Sequence, residues 1–308
     1  MIVDVLLVVA GIALLVVGGD TLIKGAVNLA LRIGISPAVA GLTVVAFGTS
    51  APELLVSISA ALKGTTDIAL GNVVGSNIAN VLVILGACAA LTGIPTKNVD
   101  LRESWVMVMA ASLVMVILAF SAPIGRVDGL LLIVMLGLVL WRQLSTAKPA
   151  DTDDLEGAAP GATGKKIALW LAIGLVTLPV GAQLLVTGAS AMARDFGISE
   201  MVIGLTLVAV GTSLPELAAS IASARAGRAD MALGNVVGSN LFNILAILGV
   251  TALITPLPVP PQIMRLDIWV MLGSTALLYP FLFRGVRMGK RVGLALLAAY
   301  SAYLMVLL

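Results

Sequence analysis

The chain has 308 residues, of which 60% are hydrophobic and only 11% are charged, and its mean hydropathy is +1.12. Soluble domains carry about 25% charged residues to keep their surface hydrated, so this composition excludes a water-soluble globule and indicates an integral membrane protein. The net charge of +2 does not point to nucleic-acid binding, and the single cysteine excludes an internal disulfide framework. The absence of histidine excludes histidine-based catalysis and proton relays.

Ten apolar segments are long enough to cross a membrane, which takes about 20 residues per helix. The first five are predicted at 3–19, 38–62, 67–92, 104–122 and 127–142, and the second five at 167–187, 201–224, 231–255, 266–283 and 291–308. Between the two sets, residues 143–166 carry acidic residues among Gly, Pro, Ala and Thr. This composition predicts a solvated linker.

The basic residues predict the orientation of these spans. With an external N-terminus, fourteen of the 18 Lys and Arg residues fall on internal loops, and the other four are Lys63, Arg126, Arg194 and Arg265. Positive residues concentrate on the cytoplasmic side of membrane proteins. We therefore expect both termini outside the cytoplasm and the linker 143–166 inside it.

The second half of the chain repeats the first at a shift of 163 residues. Residues 46–54 (AFGTSAPEL) fall on 209–217 (AVGTSLPEL), and residues 69–77 (ALGNVVGSN) recur unchanged at 232–240. Because each half holds an odd number of spans, the second half must enter the membrane from the opposite side, as in alternating-access transporters. The predicted organisation is a first repeat at 1–142 with its motif at 34–95, the linker, and a second repeat at 167–308 with its motif at 197–258. A duplication retained only for packing is the alternative, and it is disfavoured because the best-matched segments are polar.

Each repeat places one glutamate, Glu53 or Glu216, inside an apolar span. A carboxylate at that depth costs at least ~2.5–3.5 kcal/mol, so an intramembrane acid is a functional candidate. The preceding Gly-Thr-Ser-x-Pro predicts an interrupted helix with unpaired carbonyls at Ala46, Thr49, Ala209 and Thr212. The alternative is a capping box, since Ser50 and Ser213 each precede a glutamate by three residues.

The second repeated motif is Gly-Asn-Val-Val-Gly-Ser-Asn, followed three residues later by Asn80 or Asn243. Ser76 and Asn80 lie about one helical turn apart, as do Ser239 and Asn243, so their oxygens can converge on one point. Helix–helix packing through small and polar residues is the alternative. We assign Asn72 and Asn235 to packing.

The intramembrane oxygens indicate a cation site. The candidate ligands are two carboxylates, hydroxyls, amides and carbonyls, with no thiolate or imidazole among them. Oxygen ligands of this kind select hard cations such as Na⁺, Ca²⁺ or Mg²⁺, and Ca²⁺ fits this flexible set best. Two carboxylates balance one divalent or two monovalent ions. An empty site would leave two like charges in low dielectric, which favours exchange over one-way transport.

With these motifs, the sequence resembles the calcium/cation antiporter superfamily, specifically the prokaryotic sodium/calcium exchangers built from two alpha-repeats. The resemblance implies an all-α membrane protein of ten helices in two inverted five-helix repeats, with helices 2, 3, 7 and 8 broken at the core. It also implies Na⁺/Ca²⁺ exchange without a cofactor, in which helices 1 and 6 slide across the core. The implied Ca²⁺ ligands are Glu53, Glu216, Thr49 and Thr212. The implied Na⁺ ligands are Ala46, Ser50, Ser76, Ala209, Ser213, Ser239 and both glutamates, with Asn80 and Asn243 lining the site.

Asn243 distinguishes subfamilies, because some members, including the potassium-dependent exchangers, have an aspartate at this position. Asparagine at both Asn80 and Asn243 predicts that K⁺ is not required. A proton-coupled cation exchanger is the nearest alternative function, because a carboxylate can carry H⁺ in place of Na⁺. An ion channel is a further alternative, and it would need a pore accessible from both sides of the membrane at once. An intramembrane hydrolase is weaker still, since no nucleophile–base pair can be assembled without histidine.

Overall fold

The structure is a computed structural model that describes residues 1–97, 99–121, 123–147, 159, 161–197 and 211–307. These residues are almost entirely helical, and the two β-bridges among them, Ile94 with Met288 and Ile124 with Leu257, are isolated. The helices are α1 (Ile2–Ile33), α2 (Pro37–Thr49), α3 (Ala51–Leu62), α4 (Thr66–Leu91), α5 (Arg102–Phe120), α6 (Arg126–Ser145), α7 (Gly164–Asp195), α8 (Leu214–Arg225), α9 (Ala229–Ile254), α10 (Ile263–Arg284) and α11 (Lys290–Leu307).

Within this described part of the chain, eight helices are long and apolar enough to cross a membrane, and the bent pair α2 and α3 brings the number to nine. The predicted span 201–224 lies partly outside the described residues, and α8 covers only its second half. The fold is therefore an all-helical membrane protein with eight or nine candidate spans. Ten helices remain a prediction.

The outer helices α1 and α7 are longer than the predicted spans 3–19 and 167–187, because Asp20 and Lys24 do not end the first helix. Helix α1 continues to Ile33, and Gly34 caps its end with a φ of 76°, the left-handed conformation that glycine adopts without strain. Each of these helices has 32 residues, or about 48 Å, which exceeds the ~30 Å hydrocarbon core.

Helices α1 and α7 cross in antiparallel directions and make unusually close backbone contacts. A Cβ atom added to Gly11 would lie 2.6 Å from the Leu185 nitrogen, and one added to Gly188 would lie 2.5 Å from the Asp4 carbonyl oxygen. Real Cβ atoms do not approach other atoms this closely, so only glycine allows the two backbones to meet here. Small residues at such crossings give membrane helices their van der Waals contact.

Helices α4 and α9 form the centre of the molecule. Their apolar windows are 78% and 83% buried, against 22% for α1 and α7. The prediction that the third and eighth helices are broken is wrong, because α4 and α9 are continuous. Each instead contains a π-helical segment, Asn80–Leu85 in α4 and Asn243–Leu248 in α9. Both segments begin at a predicted site residue, and π-helical turns are frequent at functional sites.

The predicted linker 143–166 is shorter than expected, since α6 extends to Ser145 and α7 begins at Gly164. Thr163 closes the start of α7, where its hydroxyl accepts a hydrogen bond from the Lys166 backbone nitrogen. The acidic residues at 151–156 lie outside the described residues.

Candidate functional site

Glu53 and Glu216 lie in the first turns of α3 and α8, directly after an interruption of the helix. In the first half, α2 ends at Thr49 and the chain bends by 43° before α3. Pro52 and Pro215 stand in the first turns of the new helices, where the missing N–H removes no helical hydrogen bond. Both glutamates are only 1% exposed, so each is an acid enclosed within a membrane-spanning bundle.

Serine hydroxyls connect each glutamate to the other half of the molecule. The Ser50 hydroxyl donates to Glu216 Oε1 at 3.1 Å, and the Ser213 hydroxyl donates to Glu53 Oε1 at 3.5 Å. Neither serine makes a side-chain capping bond to its own helix, although both stand at the N-cap position. The capping-box alternative is therefore wrong, and the hydroxyls instead bring the two carboxylates into one shared site.

Several buried oxygens at this centre have no hydrogen-bond partner among the described residues. They are Glu53 Oε2, Glu216 Oε2, Ser239 Oγ, Asn77 Oδ1, Asn80 Oδ1 and Asn243 Oδ1. Buried polar atoms are nearly always paired, and each exception calls for an explanation such as a bound ion. Two carboxylates accompanied by neutral oxygens form the donor set that a hard cation prefers.

Asn72 and Asn235 support the backbone of the two glutamates. The Asn72 side-chain nitrogen donates to the Glu53 carbonyl oxygen at 3.2 Å and to Ser57 Oγ at 3.0 Å. Asn235 makes the equivalent bonds to the Glu216 carbonyl oxygen at 3.3 Å and to Ser220 Oγ at 2.9 Å. The prediction that these asparagines join helices is confirmed, and the helices they join are those that carry the glutamates.

The other predicted site residues differ in their surroundings. Thr49 is buried and its hydroxyl donates to Asn235 Oδ1 and to the Ala46 carbonyl oxygen, both at 3.4 Å. The Ala46 carbonyl also accepts the Ser50 N–H at 3.0 Å, so the prediction that it lacks a partner is wrong. A carbonyl oxygen has a second lone pair, so a cation ligand role for Ala46 is still open to it. Ser76 and Ser239 are buried on α4 and α9, and Ala209 lies outside the described residues.

A cavity of about 260 Å³ borders the residues next to the two glutamates. It lies between α7 and the starts of α3 and α8, and its lining includes Pro52, Gln183, Thr212 and Pro215. A second cavity, of about 230 Å³, lies between α1 and α8, and its lining includes Leu15, Asp20 and Leu217. The two helices touch beside it, where a Cβ atom added to Gly19 would lie 2.9 Å from the Ala218 carbonyl oxygen. Each outer helix therefore borders a cavity next to a helix that carries a glutamate.

Among the residues that the structure describes, Glu53 and Glu216 are the two carboxylates at this centre. No group of three or more His, Cys, Asp or Glu side chains that could hold a metal ion occurs in the described ranges.

Sequence reasoning did not assign Asn77 and Asn240 to the site, although both lie one turn before the predicted asparagines. Asn240 Oδ1 accepts a hydrogen bond of 2.9 Å from Asn80.

Comparison with known proteins gives consistent results. The model of the family described as sodium/calcium exchanger protein matches residues 3–145 and again residues 166–308. The inner membrane protein YrbG of Escherichia coli is 36% identical, with 98% of this chain and 95% of YrbG covered. The sodium/calcium exchanger MaX1 of Methanosarcina acetivorans is 33% identical, with 99% and 98% covered. The solved structure of the sodium–calcium exchanger NCX_Mj superimposes with a TM-score of 0.83 at 32% identity, covering 100% of this chain and 99% of NCX_Mj.

Proposed function

The chain belongs to the sodium/calcium exchanger protein family, and on that premise we propose that it is a secondary antiporter that extrudes Ca²⁺ in exchange for Na⁺. Its relatives are transporters rather than enzymes, and exchange of these ions requires no cofactor. The observation that carries the proposal is the pair of buried glutamates, each hydrogen-bonded by a serine of the opposite half. Such a pair can balance one Ca²⁺ or two Na⁺ ions but is costly without a cation.

We assign the ligands from the repeated motifs. Glu53 and Glu216, with the carbonyls of Thr49 and Thr212, would bind Ca²⁺. The Na⁺ positions would combine the two glutamates with oxygens of Ala46, Ser50, Ser76, Ala209, Ser213 and Ser239, and Asn80 and Asn243 would line the site. The partnerless oxygens of both glutamates, Ser239 and the two asparagines support this assignment.

Potassium should not be required for exchange. The potassium-dependent exchangers of the family that this sequence resembles carry a third acid at the position of Asn243, whereas this site has two carboxylates. The absence of a third acidic side chain among the described neighbours supports this proposal.

We further assign ten spans in two inverted repeats, 1–142 and 167–308, joined by the linker 143–166. The antiparallel crossing of α1 and α7 supports this arrangement, because these helices begin the two halves. The family model also matches both halves, with the two matches starting 163 residues apart. Both termini would lie outside the cytoplasm of a prokaryotic inner membrane, with the linker inside, as the distribution of basic residues predicts.

Alternating access would come from movement of α1 and α7 across the core formed by α2–α4, α8 and α9. The cavities beside α7 and α1 support this proposal, since each separates part of an outer helix from a helix that carries a glutamate.

Transport in proteoliposomes tests the function. Vesicles loaded with Na⁺ should accumulate Ca²⁺ when placed in a Na⁺-free medium at equal pH, with or without K⁺. Uptake driven by a pH gradient without Na⁺ would instead support the proton-coupled alternative and refute sodium coupling. Ca²⁺ entry that needs no counter-ion would indicate a channel.

A further inference from the structure

The side-chain amide of Asn80 is held in one orientation. Its nitrogen donates to Asn240 Oδ1 at 2.9 Å, and Asn240 is itself anchored by a bond of 3.4 Å from its own nitrogen to the Asn77 carbonyl oxygen. Asn80 and Asn240 are each only 1% exposed, so water does not compete for these bonds. With its nitrogen engaged, Asn80 directs its oxygen elsewhere, and that oxygen has no partner among the described residues.

The second half lacks the equivalent bond. Repeat symmetry pairs Asn77 with Asn240 and Asn80 with Asn243, so the matching contact would join Asn243 to Asn77 Oδ1. Instead, Asn77 donates to the Met271 sulfur at 3.7 Å, and the amide oxygens of Asn77 and Asn243 are both without a partner in the described part of the chain. The two asparagines that line the site are therefore supported differently.

The orientation of an amide matters to a cation, because one end of the group carries a lone-pair oxygen and the other carries N–H donors. An amide that turns its nitrogen toward a cation repels it. We infer that Asn240 is a positioning residue that acts through Asn80, holding the amide so that its oxygen faces the transported cation, while Asn243 is free to turn. This inference rests on the proposed function, since it requires cations to bind beside Glu53 and Glu216.

A double-mutant cycle tests the inference on the full-length protein. The variants are Asn240→Leu, Asn80→Ala and their combination. The control is Gln143→Leu, which removes another buried amide, one that bonds Ser104 between α6 and α5 at 2.9 Å. The readouts are the Ca²⁺ and Na⁺ concentrations that half-maximally stabilise the purified protein against heat, and the KM and maximal rate of Ca²⁺ uptake in proteoliposomes. If Asn240→Leu does not fold, Asn240→Ala takes its place in the cycle.

Asn240→Leu should raise the half-stabilising cation concentrations and the KM by about two- to tenfold, the range for one lost hydrogen bond. It should add nothing in the Asn80→Ala background. Asn240→Asp, which keeps the acceptor for Asn80, should not raise them, and Gln143→Leu should leave them within twofold. The inference would be overturned if the effects of Asn240→Leu and Asn80→Ala were independent. It would also be overturned if Asn240→Leu left the half-stabilising cation concentrations unchanged. If cations fail to stabilise even the unmodified protein, the proposed function itself fails, so the two failures are distinguishable.

Discussion

Replacing either glutamate by glutamine tests the central claim about the site. Glu53→Gln and Glu216→Gln keep the size of the side chain but leave one carboxylate to balance a divalent ion. Both positions are 1% exposed, so solvent cannot make up the missing charge. Taking the lower-bound cost of an unbalanced charge at the membrane centre, ~2.5–3.5 kcal/mol, Ca²⁺ affinity should fall roughly 60- to 300-fold.

The assay is Na⁺-driven Ca²⁺ uptake into proteoliposomes over a range of Ca²⁺ concentrations, paired with Ca²⁺-dependent thermal stabilisation of the purified variants. Glu103→Gln is the matched control, because Glu103 is a half-exposed carboxylate in a surface ion pair with Arg142, 2.5 Å away. Exposed ion pairs contribute little to stability, so this variant should transport normally. Near-normal Ca²⁺ affinity in either Glu53→Gln or Glu216→Gln would refute the two-carboxylate site.

Three further predictions follow from individual contacts. Ser50→Ala should raise the half-saturating Ca²⁺ concentration by roughly tenfold or more, as expected for a lost bond to a charged group. Ser213→Ala should raise it less, because its bond to Glu53 is 3.5 Å rather than 3.1 Å; equal effects in the uptake assay would contradict this ranking. Asn243→Asp adds a third acid and should change the Na⁺:Ca²⁺ coupling ratio, measured from the reversal of flux with membrane potential, without abolishing transport; an unaltered ratio would place Asn243 outside the site. Gly11→Ala should destabilise the protein by ~1–3 kcal/mol through overpacking, since its Cβ atom would lie 2.6 Å from Leu185. Gly137→Ala, with nothing within 4 Å of the added atom in the described structure, is its control in thermal unfolding.

Much of the site could be predicted because its signals are local. An acid inside an apolar segment is unusual wherever it occurs, and a proline shortly after glycine predicts an interruption of the helix at Thr49 and Ser50 without knowledge of the tertiary fold. The family resemblance extended the interruptions too far. It implied breaks in the third and eighth helices as well, whereas each of these helices is continuous and contains a π-helical segment that starts at Asn80 or Asn243.

The lengths of the helices could not be predicted from the local sequence either. Asp20 and Lys24 suggested an early end to the first span, but α1 continues to Ile33. There the Lys24 ammonium lies 4.7 Å from the centre of the Trp170 ring on α7. Such cation–π contacts offset part of the cost of a charge at the membrane boundary, and they depend on a neighbour that only the folded molecule provides.

The amino-acid sequence by itself determined the membrane class, the internal repeat and the identity of the two acids, since composition and spacing are properties of short segments. Only the tertiary structure decided which hydroxyl meets which carboxylate. A capping box would have joined Ser50 to its own helix, yet its bond goes to Glu216, 166 residues away. The Asn80–Asn240 bond likewise spans 160 residues. The packing of the two halves selects such distant partners. A buried donor bonds to the acceptor that the folded core places within reach, even when its own segment also offers acceptors.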